Sequence, residues 1–280
     1  VEEVLVQRWS RLPSENHDAE RLFDSALLET WAGHFDAAMD LVQRYEQQYL
    51  GSSTARETHW AWAILSASLL FETGEDARAS LVAEQALVRK DAWLVERQTI
   101  AENSAPMEAW LLAAAVRGGR RTAAEWRTST HAWERAHETT LNAAERWVMK
   151  WGPAMEARLA TAEALAEMPP GELHDAPRIY LMRWSVGMFD AYVGRILLRA
   201  GDAARALPLL ESGARACEGY FNPLMRVHAN LWLGMAKEKT GDKAGACSAY
   251  GYVLDRWGKA TPRSVSAIEA EKRRRALACP

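Results

Sequence analysis

Glycine interrupts helical patterning at regular intervals along this chain, and that recurrence restricts the fold more than any other feature. Residues 193–211 read VGRILLRAGDAARALPLLE and residues 233–254 read LGMAKEKTGDKAGACSAYGYVL, each a helical pattern broken at Gly-Asp. Glycine followed five residues later by alanine recurs in GHFDAA (33–38), GEDARA (74–79), GPAMEA (152–157), GDAARA (201–206) and GDKAGA (241–246), with a degenerate copy near 118–124. With Gly33, Gly74, Gly118, Gly152, Gly201 and Gly241 as the turns, the spacings are 41, 44, 34, 49 and 40 residues. A period of that size marks a solenoid of helical units.

The physics of one unit accounts for its spelling. Glycine ends a first helix because it takes positive φ without steric penalty, and an Asp directly after it caps a second helix. Asp202 and Asp242 fit that role, and Asp36 fits it less well. Seven residues before the turn stand Ala26, Ala67, Gly194 and Gly234; five after it stand Ala38, Ala79, Ala157, Ala206 and Ala246. Small residues there let two antiparallel helices approach closely. The larger Val42, Leu210 and Tyr250, nine after the turn, are expected to fill the space towards the next unit.

Leu233, Gly234, Ala246 and Tyr250, with Gly194, Ala206 and Leu210 one unit earlier, resemble the tetratricopeptide repeat. The pattern departs at the tryptophan position, which holds Asn230 and Asp190, and at the closing proline, which holds Gly258 and Glu218. Leu111 and Glu145 occupy the small-residue slot of the third and fourth units, and Pro208 interrupts a second helix. The resemblance implies an all-α, right-handed α-solenoid of about six helix hairpins over 18–260, with an N-terminal capping helix over 1–17 and a C-terminal one over 261–280. The passage GDKAGACSAYGYVLDRWGKATPRSVSAIEAEKRRRALAC is further similar to the tail of large bacterial, myxobacterial-type serine/threonine kinases. That likeness implies a signalling module separate from its enzyme, since no glycine-rich phosphate loop, HRD or DFG is present. Val1 in place of an initiator Met reads as a start inside a longer protein.

Composition narrows the function classes. A net charge of −3 gives no electrostatic case for nucleic acid, and WLLAAAV at 110–116 is too short to span a bilayer. Three cysteines without a CxxC pairing point away from a disulfide framework and towards a reducing cytoplasm. His137-Glu138 lacks the second histidine of HExxH, and Lys239-Thr240-Gly241 has the repeat register of an inter-helix turn. No metal, cofactor or catalytic residue is therefore expected. Thirteen tryptophans read as gap fillers between helices, with one of Trp60 and Trp62 turned outwards.

The strongest candidate surface is a stripe on the first helices. Lys150, Arg199 and Lys239 lie two residues before their turns, Arg146 and Arg195 six before, and Asn142 ten before. Steps of four keep a residue on one helix face. In the N-terminal units the matching face is expected to hold Phe71, Ser68 and Ile64, three, six and ten before Gly74, then Leu27 and Phe23, six and ten before Gly33. By the family resemblance this face lines a concave groove, implying a partner peptide with an apolar segment and an acidic segment or free C-terminus. A solvated face paired with Glu145, Asp190 and Glu238, a homo-oligomeric scaffold and a small-ligand sensor stay open as alternatives.

Overall fold

A computed structural model describes residues 17–49, 59–93, 110–136, 186–216 and 223–280. Every regular element among them is a helix: α1 (His17–Ala32), α2 (Phe35–Tyr49), α3 (His59–Glu72), α4 (Asp76–Trp93), α5 (110–117), α6 (Ala123–Ala136), α7 (Val186–Arg199), α8 (Ala203–Arg215), α9 (Pro223–Lys239), α10 (Lys243–Trp257) and α11 (Val265–Ala276). The all-helical expectation therefore holds for the described residues. Gly152, and the span proposed for the N-terminal cap apart from His17, lie outside them.

Five turns share one hydrogen-bond pattern. Gly33, Gly74, Gly119, Gly201 and Gly241 have φ between 80° and 90°. Each donates its N–H to the carbonyl three residues back, while the next residue donates to the carbonyl five back, as in Asp242 to Lys237 at 2.9 Å. That pair of bonds satisfies the loose carbonyls of the first helix and needs a left-handed residue at its centre. Asp202 and Asp242 then cap the second helix, their carboxylates accepting from Arg205 N–H at 3.1 Å and Gly245 N–H at 2.8 Å.

The third turn corrects the sequence frame by one residue. Gly119, not Gly118, takes the positive φ, because Gly118 N–H still donates to Ala114 O and continues the bonding of α5. Gly118 instead allows a close approach: a Cβ there would lie 2.2 Å from Ser80 Cβ, and Ser80 Oγ donates to Ala115 O at 2.7 Å. Two extra residues follow before Thr122 starts α6 with a reciprocal cap, in which Thr122 N–H donates to Glu125 at 2.7 Å and Glu125 N–H to Thr122 Oγ1 at 3.1 Å.

The small residues do their expected work, but the large ones act elsewhere than expected. Ala26, Ala38, Ala67, Ala79, Ala206 and Ala246 are completely buried. Leu210 and Tyr250 sit over the glycines of their own hairpins: a Cβ on Gly194 would lie 2.7 Å from Leu210, and one on Gly234 2.4 Å from Tyr250. The space they fill is thus inside the unit. Gly234→Ala should cost about 1–3 kcal/mol by overpacking, although alanine is the better helix former. Gly251→Ala, where the nearest atom would be Arg274 Nη1 at 3.7 Å, should be neutral or stabilising. Urea unfolding of the two variants separates these outcomes. Pro208 is accommodated inside α8 on its exposed side.

Neighbouring helices pack together: α1 on α2, α3 on α4, α7 on α8, α8 on α9, α9 on α10 and α10 on α11. Contacts also join the two ends of the chain, since α9 and α10 touch α1. Trp257, fully buried at the end of α10, meets Phe35 edge-on at 5.4 Å and donates its indole N–H to Thr30 O at 3.1 Å. The following loop pairs with the first turn, Thr261 N–H donating to Gly33 O and Asp36 N–H to Thr261 O, both at 3.0 Å. Residues far apart in sequence thus share one apolar core built from α1, α2, one face of α3 and α7–α11. A second core takes the other face of α3 with α4 and α5. α3 is apolar on nearly every side because it lies between the two.

The terminal helix α11 is mostly polar, with Arg273, Arg274 and Arg275 in its last turn, where bases suit the helix dipole. Arg273 pairs with Glu269 at 2.7 Å and Glu238 at 3.0 Å, and Arg275 with Glu271 at 2.8 Å. One expectation fails here. Cys247 and Cys279 form a disulfide, with Cα atoms 5.7 Å apart. The spacing of 32 residues hid the pair, which meets only because α11 folds back along α10. The cysteine argument for a reducing compartment falls with it. No helix among the described residues is long and apolar enough to cross a membrane.

Candidate functional site

The basic stripe is described at its C-terminal end. Arg195 lies on α7 with its guanidinium 4.5 Å from the Trp232 ring of α9. Arg199, one turn later, is exposed. Lys239 ends α9 and donates from Nζ to Leu198 O of α7 at 3.3 Å, meeting one of the last carbonyls of that helix. The fold therefore brings Arg195, Arg199 and Lys239 to two helices in contact. Asn142, Arg146 and Lys150 lie outside the described residues. Of the acids set against the stripe, Asp190 accepts from Ser212 Oγ, and Glu238 from Tyr250 Oη and Arg273.

The apolar half of the proposed groove is largely core. Leu27 and Phe71 are 4% and 3% exposed, so neither offers an open surface. Phe71 is covered by the Arg117 guanidinium, 3.8 Å from its centroid, and by the edge of Trp110. Phe23 is half-buried and meets Trp62 edge-on at 5.2 Å; Ile64 and Ser68 are also half-buried. The physical reason is lateral packing, because α5 and the chain ends occupy space that an isolated array would leave open. Trp62 is buried and stacked on Tyr45 at 4.0 Å, as a gap filler should be. With Gly119 as the turn, Arg117 takes the position two before it, a member of the stripe that the frame on Gly118 conceals.

Sequence reasoning missed the most concentrated polar constellation. The Glu72 carboxylate, at the end of α3, accepts from Ser264 Oγ at 2.5 Å, Ser266 N–H at 2.9 Å, Ser266 Oγ at 3.0 Å and His228 Nε2 at 2.8 Å. Burial pushes its pKa upwards, but the His228 bond and charge, with the Ser264 and Ser266 bonds, outweigh burial and hold it below the ordinary value. Ser264 also caps α11, accepting from Ala267 N–H at 2.9 Å. Three segments converge on one carboxylate at a helix N-terminus, where orphan amides favour negative charge. Both serine hydroxyls donate to Glu72, and the His228 ring hydrogen-bonds to the same carboxylate rather than to either serine. The cluster is a joint. Its signal in the sequence was an acid two residues before a turn glycine, where the four later units carry Lys or Arg.

No group of His, Cys, Asp and Glu among the described residues could hold a metal ion. No family model matches this chain, and neither does any curated protein or solved structure.

Proposed function

We propose that this chain is a non-catalytic protein- or peptide-recognition scaffold, a tetratricopeptide-like solenoid of helix hairpins serving as a module of a larger bacterial signalling protein. The observation that carries the reading is the repeated unit itself. The same glycine turn recurs five times, with small buried residues on both helices of the first, second, fourth and fifth hairpins described, and repetition of that kind builds extended binding surfaces. The basic positions Arg195, Arg199 and Lys239 on adjoining helices supply charge for an acidic segment or a free C-terminus.

Among the described residues the large exposed hydrophobics are Val88, Val265 and Ile268, and a homo-oligomeric scaffold would bury a broader apolar face than these three. Charge reversal tests the recognition reading. A fluorescent hexaglutamate peptide should bind in a salt-sensitive manner, and Arg195→Glu with Arg199→Glu should weaken it by about tenfold or more. Unchanged affinity would sink the assignment of this face.

A further inference from the structure

A second cationic site lies away from that stripe, at the seam between α1 and the hairpin α9–α10. Trp31 ends α1, Arg226 opens α9, and Tyr252 and Arg256 lie on the last turns of α10. The Arg226 guanidinium carbon is 5.8 Å from the Trp31 centroid and 5.6 Å from that of Tyr252. For Arg256 the distances are 4.7 and 5.8 Å. Two guanidiniums therefore share the same two rings. Among the described residues neither meets a carboxylate within ion-pair distance.

Such an arrangement has an unmet electrostatic requirement. Two like charges near the same rings repel, and a guanidinium against an aromatic ring keeps N–H donors for a planar or tetrahedral oxyanion. Two donors at the same seam, Arg226 Nε and Tyr252 Oη, are shut from solvent and have no hydrogen-bond partner among the described residues. Trp31, Arg226 and Tyr252 are half-buried and Arg256 is exposed, so the cluster is reachable from one side.

We propose that Arg226 and Arg256, framed by Trp31 and Tyr252, form a binding site for a phosphate monoester group carried on a partner peptide. Charge selects phosphate over carboxylate. Two guanidiniums match the charge of about −1.5 to −2 on a phosphorylated side chain, whereas a carboxylate would balance only one. The idea rests on the recognition reading only for the peptide that carries the phosphate; the oxyanion site itself needs no groove.

Calorimetric titration of the full chain tests it with three probes: a short Gly/Ser peptide bearing one phosphoserine, the same peptide unphosphorylated, and inorganic phosphate. The phosphopeptide should bind at least about tenfold more tightly than its unphosphorylated form, with inorganic phosphate competing. Arg226→Gln with Arg256→Gln should remove that preference. Arg256→Gln alone, at an exposed position, should reduce it by about tenfold even if the double variant fails to fold. Phosphate binding with no gain from the peptide would keep the site and place its ligand among small phosphates. Equal affinity for the two peptides without competition by phosphate, or full retention of the preference in folded Arg256→Gln, would overturn the proposal. Failure of the stripe on α7 and α9 is read separately, since Arg195→Glu with Arg199→Glu should leave phosphate binding unchanged.

Discussion

Glu72→Ala should lower the free energy of unfolding by about 3–5 kcal/mol, because removing one partner strands the others in a buried network. Ser264 Oγ, Ser266 N–H, Ser266 Oγ and His228 all lose their shared acceptor at once. Glu72→Gln keeps the volume and one acceptor oxygen, so it should cost less. The pH dependence has a definite sign. The folded carboxylate titrates below the ordinary value of 4.5, so its contribution is complete above about that pH and is lost as pH falls through the lowered value. Urea midpoints measured at pH 7 and in acid check this: the gap between wild type and Glu72→Gln should narrow in acid. A gap that stays constant would mean that the ionised form contributes nothing.

Trp257→Ala should cost about 3–5 kcal/mol, the range for deleting a large buried aromatic side chain. The loss has three parts. The ring is fully buried and sits edge-on to Phe35 and to His228, and its indole N–H satisfies Thr30 O. Phenylalanine at the same position would keep most of the packing and lose the hydrogen bond, so Trp257→Phe should lie well between. Equilibrium urea unfolding followed by circular dichroism gives both values. Equal stability of the alanine variant and wild type would mean that α10 does not bear on the first hairpin.

These two residues mark where the sequence was legible and where it was not. The hairpins were readable because their determinants are local: a left-handed glycine, an Asp cap, and alanines or glycines one helical face apart. Even there a Gly-Gly pair blurred the third turn, since Gly118 serves close packing against Ser80 and Gly119 serves the backbone. Contacts between the chain ends left no periodic trace. They depend on single residues, such as Trp257 against Thr30, separated by 227 positions, and any tryptophan in a helical pattern would have looked the same. The cysteine pair was hidden for a similar reason. For the stripe, helix periodicity sets Arg195 and Arg199 one turn apart on α7, and α7 touches α9, which carries Lys239. The burial of Leu27 and Phe71 was not foreseen because it depends on which helices pack alongside.

Docking of the first hairpin on the last is the claim on which the rest depends, and amide hydrogen exchange at Asp36 and Thr261 tests it most directly. Asp36 lies in the first turn of α2, where a backbone N–H ordinarily has only water as partner, yet here it donates to Thr261 O, while Thr261 N–H donates to Gly33 O. The account predicts that both amides exchange as slowly as Ala38, whose N–H is bonded to His34 O within the helix. Rapid exchange at Asp36 and Thr261, with Ala38 still protected, would show the two ends of the chain apart and contradict it.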